Sequence, residues 1–168
     1  MFAAPPFAAA CLFLLAMTPV CLWVAATDLR DMKIRNVAVY TTAGIFVFLG
    51  LAVLPPEVWA WRWVNFAVVL AIGFALFAFA GFGAGDVKFV SVAALFVSHE
   101  PGQISLAMIC LSVGLLAGLG LHQLLKRLPA LTRATSGWRS WTAKRTPAGV
   151  GLALALWIYL ALAVLAAG

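Results

Sequence analysis

Charged residues are scarce in this sequence: Asp, Glu, Lys and Arg make up 10% of its 168 residues, and only five residues are acidic. A soluble globular domain carries about 25% charged residues. The hydrophobic share is 65%, and the mean hydropathy is +1.10. This composition excludes an ordinary soluble domain and indicates an integral membrane protein.

Cysteine and histidine are also rare, and their pattern carries no metal signature. The three cysteines, Cys11, Cys21 and Cys110, fall in apolar runs, and no CxxC pair or His/Cys cluster occurs. Structural zinc is therefore not expected, and each cysteine reads as a small packing residue. Basic residues are absent before Arg30. The first apolar run thus lacks the basic start of a signal peptide, and we expect a retained helix.

The apolar runs are long enough to cross a bilayer, which requires about 20 helical residues. Six spans are predicted, at residues 5–27, 37–54, 63–81, 87–98, 103–125 and 147–167. The fourth is short, so it must use flanking residues, thin the bilayer or re-enter. We expect an all-α polytopic membrane protein with about six transmembrane helices, forming one domain over residues 1–168.

The basic residues predict the orientation, because they accumulate on the cytoplasmic side of membrane proteins. With six spans, the loops at 28–36, 82–88 and 126–146 share one side, and both termini face the other. The opposite side carries only Arg62. The shared side carries Arg30, Lys33, Arg35, Lys88, Lys126, Arg127, Arg133, Arg139, Lys144 and Arg145.

The loop from Lys126 to Arg145 has six basic residues and no acidic one, with Trp138 and Trp141 between them. Basic residues with aromatic anchors suit the surface of an anionic leaflet. We therefore expect anionic lipids as partners. Nucleic acid is not an expected partner, because these twenty residues form no folded binding module.

Two of the five acidic residues lie at apolar boundaries on the same side of the membrane. Asp28 follows the first span, and Asp86 opens the fourth, whereas Glu57 and Glu100 lie in outer loops. An ionisable group at membrane depth is costly and indicates function. Two carboxylates that meet could divide acid and base roles. The alternative is that both aspartates only cap helices, a use for which Asp is well suited.

The stretch GFGAGDVKF, residues 81–89, places three glycines before Asp86. Glycine gives a turn access to positive φ and lets another chain approach closely. A simple helix cap would not require glycine at both Gly83 and Gly85. The pattern therefore favours a functional role for the turn.

Three segments together resemble the type IV prepilin peptidases, which are membrane aspartyl proteases. GAGD (83–86) is similar to their GxGD motif, and TDLRDMKIRN (27–36) to their first motif. TPAGVGLALA (146–155) is similar to the start of their last helix. The resemblance covers nearly the whole chain in the same order, and the small size resembles the Flp/Tad-pilus branch.

The resemblance implies that Asp28 and Asp86 are the catalytic pair, without a metal or organic cofactor. Asp31 is the alternative first aspartate, and Arg35 stands where the family usually has proline. The cytoplasmic domain with paired cysteines that longer relatives carry is absent, so methyltransferase activity is not expected. Supporting positions are Gly83, Gly85, Lys88, Arg30 and Asn36, with both glycines admitting the substrate backbone and both basic residues tuning the charge of the pair.

The implied substrate is a prepilin or pseudopilin, cut after a glycine at the cytoplasmic face of the bacterial inner membrane. Two other classes fit six apolar helices: a small transporter, and a non-catalytic assembly or scaffold protein of a pilus or secretion system. A transporter would usually place polar groups near the membrane midplane. A scaffold would tolerate loss of either aspartate. Neither the pilin nor the oligomeric state follows from the sequence.

Overall fold

The computed structural model describes residues 6–143 and 145–168, which form a bundle of α-helices. Five of these helices are long and apolar enough to cross a membrane, which confirms the predicted all-α polytopic class. They are α1 (Pro6–Asp31), α2 (Asn36–Val53), α3 (Pro56–Ala80), α5 (Pro101–Lys126) and α7 (Ala148–Ala167). The shorter helices are α4 (Ala84–Ala93) and α6 (Pro129–Ala134), and 3₁₀ turns cover Ala94–Phe96 and Arg139–Trp141.

The first helix extends beyond its apolar run. It continues to Asp31, so Asp28 belongs to the end of α1 and not to the loop predicted at 28–36. Leu29 and Arg30 are good helix formers, and the change from apolar to polar side chains does not by itself end a helix. The turn into α2 is confined to residues 32–35. Helix geometry therefore fixes the position of Asp28.

The last helix, α7, is central and packs most extensively against α1 and α5. A Cβ atom at Gly114 would lie 2.6 Å from the backbone nitrogen of Ala155. A Cβ atom at Gly118 would lie 2.7 Å from the Cα atom of Gly151. Gly114 and Gly118 therefore form a helix-packing feature, in which the backbones of α5 and α7 approach closely.

The fourth apolar segment differs from the other predicted spans. Its helix, α4, has ten residues, followed by a three-residue 3₁₀ turn. Ten helical residues rise about 15 Å, roughly half of a bilayer core. The chain continues past the turn in extended form at Val97, and the ring of His99 stacks on Trp61 of α3 with centroids 6.3 Å apart. The segment thereby returns to the level at which α3 begins.

Side chains from α3 and α7 form hydrogen bonds with the backbone groups that the early end of α4 leaves free. Asn65 Nδ2 donates to the carbonyl of Val97 at 2.8 Å, and Arg62 Nη1 donates to the carbonyl of Phe96. The amide of Ser98 donates to the hydroxyl of Tyr159 at 3.2 Å. Backbone polar groups at membrane depth must be paired inside the protein. Arg62, the basic residue outside the basic loops, therefore has a structural role.

The three predicted basic loops lie at one end of the bundle. Lys88 Nζ, in α4, donates to Asn36 Oδ1 at 3.4 Å. Trp138, from the loop before α7, lines a cavity together with Arg30 and Arg35. Lys144 falls outside the described residues. We call this end of the bundle the basic end.

We expect labelling of single introduced cysteines to place the loop at 126–146 in the cytoplasm and both termini outside, because the basic end should face inward. The measurement is modification by a membrane-impermeant thiol reagent, applied to intact cells and to inverted vesicles. The background for this experiment replaces Cys11, Cys21 and Cys110. A C-terminus labelled from the cytoplasm would contradict the expected orientation.

Candidate active site

Asp28 is buried near the C-terminal end of α1, where its side chain is 4% exposed. Its Oδ2 atom accepts a hydrogen bond of 2.6 Å from the backbone amide of Gly149, in the first turn of α7. The first amides of a helix have no partner within the helix, and its N-terminus favours negative charge. The start of α7 therefore holds the carboxylate of Asp28 in one position.

Gly149 is the functional position that sequence reasoning missed. A Cβ atom at this residue would lie 2.8 Å from Oδ2 and 2.9 Å from Cγ of Asp28. Only glycine lets the carboxylate come this close to the amide. Pro147 and Gly149 open the last helix directly after the basic loop, and this pattern is visible in the sequence. The contact between Gly149 and Asp28 joins residues 121 positions apart, so no local pattern predicts it.

Asp86 lies in the first turn of α4 and is half-buried. It lies at the same end of the bundle as Asp28, because Lys88 of the same helix bonds Asn36 at the start of α2, just after α1. The residue at the N-cap of α4 is Gly83, so the capping alternative does not hold for Asp86. Asp28 does accept from a helix N-terminus, but that helix is α7. The structure thus places the two sequence-predicted aspartates at the same end of the bundle, the basic end.

The backbone conformation of the glycines before Asp86 differs from the prediction. Positive φ occurs at Gly81, with 69°, in the C-cap of α3, whereas Gly83 has φ −70°. The prediction of positive φ within the GAGD turn is therefore wrong, because α3 ends in the common left-handed glycine before the motif begins.

The missing side chains at Gly83 and Gly85 make room for neighbouring protein atoms. A Cβ atom at Gly83 would collide with Oδ2 of Asp86, and one at Gly85 would lie 3.3 Å from the carbonyl oxygen of Ile34. Gly83 therefore lets the Asp86 carboxylate fold back, and Gly85 lets the loop between α1 and α2 contact α4. The approach of a substrate backbone at these glycines stays a prediction.

The predicted supporting residues separate into two groups. Lys88 and Asn36 form the hydrogen bond that joins α4 to the start of α2. Arg30 instead pairs with Asp31, whose Oδ1 atom lies 3.6 Å from Nε of Arg30, and Asp31 also binds Arg35 at 3.1 Å. Asp31, the alternative first aspartate, is therefore engaged in ion pairs. The expectation that Arg30 tunes the catalytic pair is not supported by its contacts.

The arrangement suits acid–base chemistry on a neutral amide. Burial and mutual repulsion disfavour two full charges on Asp28 and Asp86, whereas the Gly149 amide stabilises one of them. Such a pair shares protons, and its apparent titrations belong to the pair. One carboxylate can remove a proton from water while the other donates a proton to a carbonyl or leaving amine.

The replacement of the family proline by Arg35 is compatible with the backbone. Arg35 has φ −75° and ψ 138° at the N-cap of α2. Among the described residues, its amide donates no backbone hydrogen bond. Proline fixes φ near −65° and lacks that donor. Arginine therefore occupies a position whose geometry a proline would also satisfy.

We expect Arg35→Pro to fold with a free energy of unfolding within about 1 kcal/mol of the wild type. The exposed pair with Asp31 contributes less than about 1 kcal/mol, and a compatible proline adds about 0.4–1 kcal/mol. Thermal denaturation in detergent measures the difference. Ala38→Pro is the control that should unfold, because the Ala38 amide donates to the Arg35 carbonyl at 3.0 Å. Equal destabilisation by both prolines would contradict this geometry.

Comparison with known proteins agrees with the geometry. No curated protein and no solved structure matches the chain. Residues 12–121 match the sequence model of the type IV leader peptidase family. The matched region contains Asp28, the glycine turn and Asp86, and it ends in α5, before Gly149. Because the match covers more than half of the 168 residues, the chain belongs to the type IV leader peptidase family.

Proposed function

We propose that this protein is a membrane-embedded aspartic endopeptidase that removes the leader peptide of prepilin-like substrates at the cytoplasmic face of the bacterial inner membrane. One observation carries the proposal: the buried Asp28, held by the Gly149 amide, lies at the same end of the bundle as Asp86. Family membership supports a leader peptidase in general. The aspartic mechanism and the substrate are inferred from the site.

In the proposed reaction, one of the two aspartates acts as general base and takes a proton from the attacking water. The other acts as general acid and gives its proton to the scissile carbonyl oxygen. When the tetrahedral intermediate collapses, one of its hydroxyl groups returns that proton to the acid, and the base gives the proton taken from water to the leaving amine. The hydrogen bond from Gly149 orients Asp28 before substrate arrives, so part of the positioning cost is met by the fold. The products are the free leader and a mature pilin with a new amino terminus.

The substrate is proposed to be a prepilin of the Flp/Tad type, cut after a glycine where its apolar helix meets the cytoplasm. The site lies at one end of the bundle, so a substrate helix in the bilayer can present its end to both aspartates. Methyl transfer to the product is not part of the proposed activity.

The buried polar groups do not favour a transporter. Within residues 6–143 and 145–168, the buried polar residues are Asp28, Thr42, Ser91, His122 and Ser140. Thr42 and Ser91 bond to carbonyls of their own helices, and His122 stacks on Trp141 near the basic end. An ion pathway would require polar groups along the midplane. Asp28 instead lies close to the basic end.

The test is cleavage of a synthetic prepilin, containing its leader and apolar helix, by purified protein in lipid nanodiscs. Mass spectrometry should find a single cut after the leader glycine. A matched substrate with that glycine replaced by valine should be cut much more slowly. Binding of the prepilin without any cleavage would contradict the proposed enzyme and would favour an assembly protein.

A further inference from the structure

The cavity that Trp138, Arg30 and Arg35 line at the basic end is separate from Asp28 and Asp86. Its volume is about 430 Å³. It lies between the last turns of α1, the loop into α2 and the segment before α7. The lining residues are Trp23, Ala26, Thr27, Arg30, Asp31, Arg35 and Trp138. We call this cavity the arginine pocket.

The arginine pocket is on the face of α1 opposite the catalytic pair. At 100° per residue, Arg30 points about 160° away from Asp28, and Trp23 about 140° away. Asp28 is directed into the bundle toward α7, whereas the side chain of Arg30 is 68% exposed. A ligand in the pocket would therefore not touch the atoms of the proposed peptidase reaction.

The charges in the pocket are arranged for an anion. Asp31 binds Nε of Arg30 through one oxygen and Nη2 of Arg35 through the other. This carboxylate holds both guanidinium groups at the pocket, and both arginine side chains are exposed, with other N–H groups left to donate. Two arginines and one aspartate leave a net positive charge. Guanidinium groups bind phosphate oxygens with paired hydrogen bonds.

An apolar surface continues from the pocket along α1 toward the membrane centre. Leu22 and Leu15 are 66% and 71% exposed, and both lie on the same face of the helix as Ala26, which lines the pocket. Trp23 and Trp138 flank the opening, and tryptophan prefers the boundary between headgroups and hydrocarbon. The surface is thus cationic at the arginine pocket and apolar along α1 next to it.

We propose that the arginine pocket binds an anionic phospholipid, with the headgroup phosphate on Arg30 and Arg35 and an acyl chain along Leu22 and Leu15. The ordered lipid joins the end of α1 to the segment before α7 through Trp138. Free phosphate has the same head chemistry but lacks the chain for the apolar face. This proposal is independent of the peptidase activity.

The test uses protein in a neutral detergent at about 150 mM salt, where distant charges are largely screened. Short-chain phosphatidylglycerol, phosphatidylcholine of the same chain length and inorganic phosphate are added separately. Native mass spectrometry counts retained lipid, and thermal denaturation measures stabilisation. Phosphatidylglycerol alone should be retained and should raise the melting temperature.

The double variant Arg30→Gln/Arg35→Gln should lower phosphatidylglycerol affinity roughly tenfold or more. The matched control is Lys126→Gln/Arg127→Gln, which removes the same charge from exposed positions outside the pocket. That control should stay within about threefold of the wild type. Ala26→Trp fills the pocket without changing charge and should also weaken retention, which decides the question if the arginine variant does not fold.

Four outcomes would overturn the proposal. Equal losses in both double variants would show diffuse attraction to the whole basic end. The same stabilisation by inorganic phosphate would show a site for free anions, and equal retention of phosphatidylcholine would show an apolar surface without headgroup recognition. Unchanged lipid binding in Arg30→Gln/Arg35→Gln, with weaker binding of an acidic peptide, would show a peptide site in its place.

Discussion

Asp28→Asn and Asp86→Asn should each abolish prepilin cleavage while the protein remains folded in the membrane. An amide has nearly the size of a carboxylate but cannot exchange the proton that the proposed reaction requires. The loss should exceed the factor of about 10²–10⁴ that a single acid–base group contributes, because each aspartate also controls the protonation of the other. Product formation over time, measured by mass spectrometry, gives the rate.

The fold should survive Asp28→Asn because the side-chain oxygen of asparagine can still accept the amide hydrogen of Gly149. Asp28→Ala is the contrasting variant, since it leaves that amide without a partner at a cost of about 1–3 kcal/mol. Glu57→Gln, at the opposite end of the bundle, is the variant expected to keep full activity.

Asp31→Asn tests the alternative first aspartate and should lose far less activity than either catalytic variant. Its carboxylate pairs with Arg30 and Arg35, whereas Asp28 accepts from α7. Near-normal cleavage by Asp28→Asn or Asp86→Asn would disprove the two-aspartate mechanism. An inactive Asp31→Asn together with an active Asp28→Asn would move the catalytic role to Asp31.

The class of fold could be predicted from the sequence because long apolar runs leave few alternatives. A helix pairs its own backbone groups, so each run of about 20 apolar residues forms a helix in the membrane. The fourth segment shows the limit of this reasoning. Its helix ends at Ala93, although neither proline nor glycine occurs between Ala93 and Pro101. The end depends on Arg62 and Asn65, more than thirty residues earlier, so no local signal marks it.

The aspartates could be predicted because charge in an apolar chain is rare, but their partners could not. Asp28 and Asp86 stand out at the boundaries of the apolar runs, whereas the contact of Asp28 with Gly149 depends on how α1 packs on α7. A simpler reason explains why the contacts of Arg30 do not support its predicted place beside the catalytic pair. Because α1 continues to Asp31, its helical period directs Arg30 away from Asp28.

Gly149→Ala should lower the cleavage rate on the order of 10²-fold, as expected for a misplaced catalytic group, while stability stays near that of the wild type. The new Cβ atom would lie 2.8 Å from Oδ2 of Asp28. The carboxylate can rotate away from the new methyl group, and the Cβ atom of Asp28, 3.0 Å away, requires only a small adjustment of the two helices. Alanine also suits a helix better than glycine, by roughly 0.5–1 kcal/mol. Cleavage kinetics and thermal denaturation of the same preparation measure both effects.

Two other glycines provide control variants with different expected results. Gly151→Ala should destabilise the protein, because its Cβ atom would lie 2.7 Å from the Cα atom of Leu115 and would push α7 from α5. Gly120→Ala should change neither property, since no atom lies within 4 Å of its Cβ position. If Gly149→Ala lost activity only in proportion to stability, Gly149 would be a packing residue like Gly151. If it kept full activity, the contact with Asp28 would have no part in catalysis, and the carboxylate would have to be positioned by α1 alone.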